Sequence, residues 1–236
     1  MGLGHSPSIV TSGLVLALDA GNTKSYPGSG STWTDLSGNG NTGTLTNGPT
    51  YSSSNGGVIV FDGTNDYVEN LSPNLGISGD ANITLACWFY YTGASSSVFS
   101  ALFGYGNGGS SGDTIALGLN GAGTYQVSFQ FNAASTYSVD NSYSPNTWVN
   151  LVGTKTPGAA NTTTKLYVNG QQVSISASTT ITPNVVSRVI RLGRWINDGS
   201  PYYYTGRIAQ AQIYNTALTA DQVLQNFNAL RGRFGL

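Results

Sequence analysis

Charge is scarce in this chain. Only 8% of its 236 residues are Asp, Glu, Lys or Arg, against about 25% in an ordinary soluble domain. The net charge is −1, so no basic field draws in nucleic acid or an anionic membrane surface, and neither is expected as a partner. Cysteine is nearly absent too. Cys87 is the single one, which excludes an internal disulfide and a zinc site of finger spacing. Set among Leu85, Ala86, Trp88 and Phe89, it reads as a small buried hydrophobe. The single histidine, His5, lies near the start, which removes most Ser-His and Cys-His nucleophile schemes. No apolar run approaches the ~20 residues that cross a bilayer. The stretch Met1 to Ser6 lacks the basic start and apolar core of a signal peptide. Met1-Gly2 with Ser6 meets the N-myristoylation pattern, and coincidence is the better reading of so short a match.

What the chain has in quantity is Ser, Thr, Asn and 32 glycines, the residues of turns, with apolar runs between them. Gly13 to Asp19 reads as a first strand, apolar on both faces. Val58 to Val68 reads as a hairpin turning at Asp62 to Asn65. Asn82 to Tyr91 is a long strand, followed by Phe99–Tyr105, Thr114–Leu119, Tyr125–Phe131 and Thr147–Thr154. Lys165 to Ser174 is a hairpin with Asn169-Gly170 as its two-residue turn, and Val185 to Leu192 is a further strand. From Arg207 to Tyr214 the residues alternate, Ile208, Gln210, Gln212 and Tyr214 on one side, Ala209, Ala211 and Ile213 on the other. Then Thr219 and Gln222 form a capping box opening a helix over about 219–231. Val223, Leu224, Phe227 and Leu230 line one face of it, and Gly232 is placed to end it. Many short strands and one late helix predict an all-β antiparallel sandwich. Its organisation is an extended N-terminal arm over residues 1–12 and a single domain over 13–236.

The order of these pieces resembles the laminin-G-like, concanavalin-A-like jelly-roll family. The matching stretches include Leu14–Ala20, Asp35–Leu45, Val60–Val68, Ile83–Phe89, Asn146–Val152, Lys165–Gln171, Gly206–Ile208 and Ile213–Thr219, and they span most of the chain. The resemblance implies a jelly roll with one short C-terminal α-helix. His5 to Thr11 and Arg233 to Leu236 are similar to versions of the domain in virion proteins of tailed phages, notably marine and cyanobacterial ones. That implies a structural or adsorption protein on the surface of a phage particle.

Related jelly rolls cleave polysaccharides, a reaction that needs two carboxylates facing one bond. With Glu69 as the lone glutamate, the Glu-x-Asp-x-x-Glu motif of the hydrolytic relatives cannot be written here, and no enzyme activity is expected. Asp62 and Asp66 are read as holding a turn. Asp35, Ser37 and Asn39 fall at alternate positions of an oxygen-rich loop, a candidate site for a structural calcium. The favoured reading is that Asp35 and Asn39 simply hydrogen-bond their own turn. Family members place a calcium partly on an Asp after the Gly-x-Ile of the final strand, where this chain has Ala209.

For sugar, the candidate cluster is Trp195, Asn197, Asp198, Tyr202, Tyr203 and Tyr204 in an irregular loop before the final strand, with Trp33 and Tyr26 secondary. Aromatic faces stack on sugar rings, and such loops serve protein interfaces equally well. Trp88 and Trp148 are read as core. Arg188, Arg191 and Arg194 are read as a solvated or interface strand. The leading expectation is a non-enzymatic virion protein, most simply a capsid decoration protein, a homo-oligomer in the particle with other capsid or tail subunits as partners. The alternative is a carbohydrate-binding adsorption module, from a tail fibre, another tail protein or a bacterial lectin-like protein, gripping cell-surface glycans.

Overall fold

The computed structural model describes residues 7–92, 99–110, 112–120, 125–131, 135–138, 142–177, 180–199 and 202–236. His5, Asp140 and the first half of the expected arm lie outside them. In chain order the strands are β1 (Leu14–Asp19), β2 (Thr32–Trp33), β3 (Gly43–Thr46), β4 (Thr50–Ser52), β5 (Val58–Asp62) and β6 (Tyr67–Asn70). They continue as β7 (Ile83–Tyr91), β8 (Phe99–Gly106), β9 (Thr114–Asn120), β10 (Gln126–Gln130), β11 (Ser135–Ser138) and β12 (Trp148–Lys155). After a one-turn helix α1 (Ala160–Thr163) come β13 (Thr164–Val168), β14 (Gln171–Val173), β15 (Ile175–Ala177), β16 (Val189–Leu192), β17 (Thr205–Tyr214) and helix α2 (Ala220–Leu230).

Among the described residues these strands pair antiparallel into two sheets. The eight-stranded one runs β14-β13-β12-β7-β17-β5-β4, with β1 also on β17, and the nine-stranded one runs β15-β11-β10-β9-β8-β16-β6-β3-β2. The chain is thus the antiparallel sandwich expected. Strand β17 is its axis: one edge pairs with β7, and the other pairs with β5 in its first half and β1 in its second.

Period-two alternation decides what each sheet faces. Across the nine-stranded sheet, Leu45, Val68, Leu192, Phe103, Leu117 and Phe129 stand in one register row and all enter the central core. The next row, Thr44, Glu69, Arg191, Gly104, Ala116 and Gln130, faces the other way. On β7, Ile83, Leu85, Cys87, Phe89 and Tyr91 point into the same core. Burial pushes the Cys87 thiol up, so it stays protonated.

Three local expectations are corrected. The alternation of β17 is broken by a bulge between Ile208 and Gln210, where Phe89 faces Ile208 and Trp88 faces Gln210. The extra residue, Ala209, turns outward, and Ile208 joins Ala211 and Ile213 in the core. Val58 to Val68 is not a hairpin, because β5 pairs with β4 and β17 while β6 pairs with β3 and β16. The turn between them carries the chain from one sheet to the other. Asp62 Oδ1 accepts from Thr64 N at 2.7 Å, and Asp66 Oδ2 accepts from Asp62 N at 3.1 Å. Finally, Gly232 does not end the C-terminal helical segment. A 3₁₀ turn follows α2 over Arg231–Phe234, and the left-handed residue is Gly235 at φ 74°.

That extra turn has a purpose. It delivers Phe234 onto Trp88, ring centroids 4.1 Å apart, and onto Trp148 at 4.7 Å. Both tryptophans are buried, on the outer face of the eight-stranded sheet rather than between the sheets. The turn also places Arg233, whose Nη1 meets Asp19 Oδ1 at 2.6 Å while its other nitrogens donate to the carbonyls of Asn55 and Gly57. The capping box forms as expected, with Gln222 N donating to Thr219 Oγ1 at 3.3 Å and Thr219 N to Gln222 Oε1 at 3.0 Å. The described part of the arm is sewn to the same helix. Val10 N donates to Asn226 Oδ1 at 2.7 Å, and Gln225 Nε2 donates to the Ser8 carbonyl at 2.8 Å. Asn169-Gly170 turns its hairpin as expected, both residues at positive φ, 49° and 77°.

Candidate functional site

Between β16 and β17 the chain makes a small hairpin of its own over the outer face of the nine-stranded sheet. Gly193, at φ 77°, opens it; a Cβ there would meet the Phe61 ring at 2.5 Å. Arg194 and Tyr203 pair across the hairpin. Trp195 N donates to the Tyr202 carbonyl at 3.1 Å, and Tyr204 N to that of Gly193 at 2.9 Å. Further along, Asn197 Oδ1 accepts from Gly199 N at 2.8 Å.

The hairpin lies down because the sheet leaves room for it. Trp195 packs on Ala101 and Ala116, with the Phe99 ring perpendicular at 5.4 Å. Ile196 covers Gly104, where an added Cβ would stand 2.8 Å from Ala116 Cβ and 3.1 Å from Ile196. Small residues under a large aromatic give the close contact on which packing energy depends.

The six sugar-site residues expected from the sequence therefore divide. Trp195 is 8% exposed and Tyr204 fully buried, so neither ring face is open to a ligand. Tyr204 instead donates its hydroxyl to the Tyr90 carbonyl at 2.8 Å, and burial raises its pKa well above the ordinary phenol value. Tyr202 is 43% exposed, its ring at 5.6 Å from Phe99. Tyr203 and Asn197 are half-buried and Asp198 is exposed.

The structure adds residues to this group. The Arg194 guanidinium lies between two rings, 5.1 Å from the centroid of Tyr67 and 5.9 Å from that of Tyr203. Arg191 is 6% exposed rather than solvated; its Nε meets Glu69 Oε2 at 3.3 Å and its Nη1 donates to the Ile196 carbonyl. Both guanidiniums converge on Asp198 Oδ1, at 2.8 Å from Arg191 and 3.0 Å from Arg194. Partial burial alone would raise the Asp198 pKa, but the hydrogen bond and charge of Arg191, aided by Arg194 and Arg188, outweigh it and hold the carboxyl below its ordinary value. Beyond Glu69 the same face continues into a concavity of about 390 Å³ lined by Thr42, Thr44, Glu69, Asn70, Leu71 and Ser72. The sequence signal for Arg191 was its place between the core residues Ile190 and Leu192, but its partner Glu69 lies 122 residues away.

The calcium candidates are occupied by the chain's own groups. Asp35 Oδ1 accepts from Ala17 N at 2.8 Å and Ser37 N at 2.9 Å; its Oδ2 accepts from Ser37 Oγ at 2.7 Å and Asn41 N at 2.9 Å. Asn39 donates to Ser37 Oγ. The bond from Ala17 ties the turn to β1 and the other three close the turn itself, the role a turn aspartate performs. Among the described residues no three His, Cys, Asp or Glu side chains gather as a metal site. Ala209 is buried against Val58 and Trp88. Trp33 and Tyr26, the secondary sugar candidates, are buried in the central core.

Residues 62–224 match the family model described as the concanavalin A-like lectin/glucanases superfamily, of the laminin-G type. The chain belongs to that superfamily. No curated protein matches the sequence. Among solved structures, this superfamily member is similar to Trypanosoma rangeli sialidase, with a TM-score of 0.69 at 17% identity over 96% of the chain and 34% of the sialidase. It is similar to domain 4 of AbnA, an extracellular arabinanase from Geobacillus stearothermophilus solved with arabinotriose, with a TM-score of 0.64 at 17% identity over 90% of the chain and 97% of that domain. The receptor-binding domain of botulinum neurotoxin type G gives a TM-score of 0.61 at 15% identity, over 92% of the chain and 51% of that domain. The chain thus spans about a third of the sialidase's length.

Proposed function

We propose that this superfamily member is a non-catalytic glycan-binding module whose ligand surface is the outer face around the 194–203 hairpin. The observation that carries the reading is the pairing of an open aromatic ring with fixed polar groups. Tyr202 stands 43% exposed on the same hairpin as Arg194, whose guanidinium is held over the rings of Tyr67 and Tyr203. Sugar sites combine these two elements, a ring face for the C–H side of the pyranose and rigid donors for its oxygens. The concavity beside Glu69 gives room for a second sugar unit. The arabinanase domain solved with arabinotriose, which matches almost end to end, supports the reading.

Absence of catalysis is part of the proposal. Asp62 and Asp66, two carboxylates of one turn, each accept from backbone N–H groups, Asp62 through Oδ1 and Asp66 through Oδ2. The phage-particle setting rests on the terminal motifs, and their described residues are engaged within the domain: Ser8 and Val10 bond α2, and Arg233 and Phe234 seat on the eight-stranded sheet.

Titration calorimetry with the best glycan from an array tests the reading. Tyr202→Ala is expected to weaken binding at least tenfold with the melting temperature unchanged, because the ring is a surface contact. Trp195→Ala is expected to lose binding along with about 2–3 kcal/mol of stability, as removal of a buried aromatic against a yielding surface. Equal affinity of wild type and Tyr202→Ala for every glycan bound would place the ligand elsewhere.

A further inference from the structure

We propose that Arg191 and Arg194 form a seat for the carboxylate of an acidic sugar, and that Asp198 of the chain itself occupies that seat. The inference rests on the glycan-binding reading and names the ligand class at the same surface.

The argument begins with an asymmetry of burial. The two arginine side chains are 7% and 12% exposed, while the Asp198 side chain that bridges them is 60% exposed. The cations are built into the fold and the anion rests on top of them. Each guanidinium is oriented without Asp198. Glu69 and the Ile196 carbonyl hold Arg191, and the Tyr67 and Tyr203 rings hold Arg194. Arg194 Nε is buried and has no hydrogen-bond partner among the described residues. Asp198 therefore does not create the seat.

Two converging guanidinium N–H groups bind a carboxylate in charge-assisted geometry. With Asp198 swung outward, Arg191 would keep Glu69, while Arg194 would have no carboxylate within ion-pair distance among the described residues. A sugar carboxylate entering the seat would replace like with like, and its ring would lie near the Tyr67 and Tyr203 rings that hold Arg194. The internal carboxylate is a tethered competitor whose effective concentration is of order millimolar or higher. An acidic glycan must displace it, so the unaltered domain should bind such a ligand weakly.

The experiment is calorimetry with trigalacturonate and its methyl ester, sialyllactose, lactose and lactose 3′-sulfate. It uses wild type, Asp198→Asn and the double variant Asp198→Asn/Arg194→Gln, each checked for an unchanged melting curve. Asp198→Asn is expected to bind trigalacturonate or sialyllactose at least tenfold more tightly than wild type, to leave the ester and lactose unchanged, and to lose the gain when Arg194 is replaced. Acid and ester bound alike by all three proteins would overturn the proposal and leave glycan binding standing. A gain for lactose 3′-sulfate with none for trigalacturonate or sialyllactose would overturn the proposal and reassign the seat to sulfate esters. Binding of no glycan by any of the three would overturn both readings.

Discussion

Trp88→Ala is expected to lower the unfolding free energy by about 3–5 kcal/mol, the usual cost of emptying a large aromatic site. That corresponds to a fall in Tm of roughly 6–20 °C for a chain of this size. The indole is 1% exposed, and the whole C-terminal segment is organised on it. Phe234 stacks at 4.1 Å and Phe227 at 5.7 Å, at interplanar angles of 18° and 12°. Removing the indole takes the floor from both rings, so α2 loses its anchor to the outer face of the eight-stranded sheet. The Trp88 Nε1 has no partner among the described residues, so no hydrogen bond is lost with it and the cost is one of packing. Trp88→Phe should recover much of the loss. Guanidinium denaturation followed by far-ultraviolet circular dichroism measures it, and a loss below about 1 kcal/mol would show that the aromatic stack does not hold the segment.

Arg233→Ala is the second large effect, expected at about 2–4 kcal/mol. Truncating one partner of a buried ion pair costs about 3–5 kcal/mol, and the figure is reduced here because both side chains are 19% exposed. One guanidinium satisfies the Asp19 carboxylate at the end of β1 and the carbonyls of Asn55 and Gly57 before β5. All three oxygens are left without that donor when it is removed. Fit at this point is tight: a Cβ on Gly21 would stand 2.6 Å from the guanidinium carbon. A double-mutant cycle with Asp19→Ala isolates the pair. A coupling energy above about 1 kcal/mol is expected, and additive losses would mean that the two carbonyls alone fix Arg233.

Both effects depend on contacts that a linear reading does not reveal. Arg233 reaches Asp19 across 214 positions, and nothing local marks it as more than a terminal cation. By contrast, the capping box at Thr219 and Gln222 and the Asn169-Gly170 turn were legible, because each follows from spacing within a few residues. The bulge at Ala209 was hidden since it depends on how β17 meets β7. The Asp62–Asp66 turn looked like a hairpin because its residues are those of a hairpin, and the sheet each flanking strand joins is set elsewhere. At the candidate site the aromatic cluster was visible as composition. Which of its rings are buried was not, because Trp195 and Tyr204 are covered by Phe99, Ala116, Phe61 and Tyr91 from other strands. The burial of Arg191 was hidden for the same reason.

The central claim is that glycan binds on the hairpin face. The most direct test is to titrate a bound oligosaccharide into isotope-labelled protein and map the shifted nuclear magnetic resonances. Shifts concentrated on Tyr67, Arg194, Asn197, Tyr202 and Tyr203 are the result expected. Shifts gathered instead around Tyr125, Tyr143 and Trp148, which line a separate concavity of about 440 Å³, would contradict it.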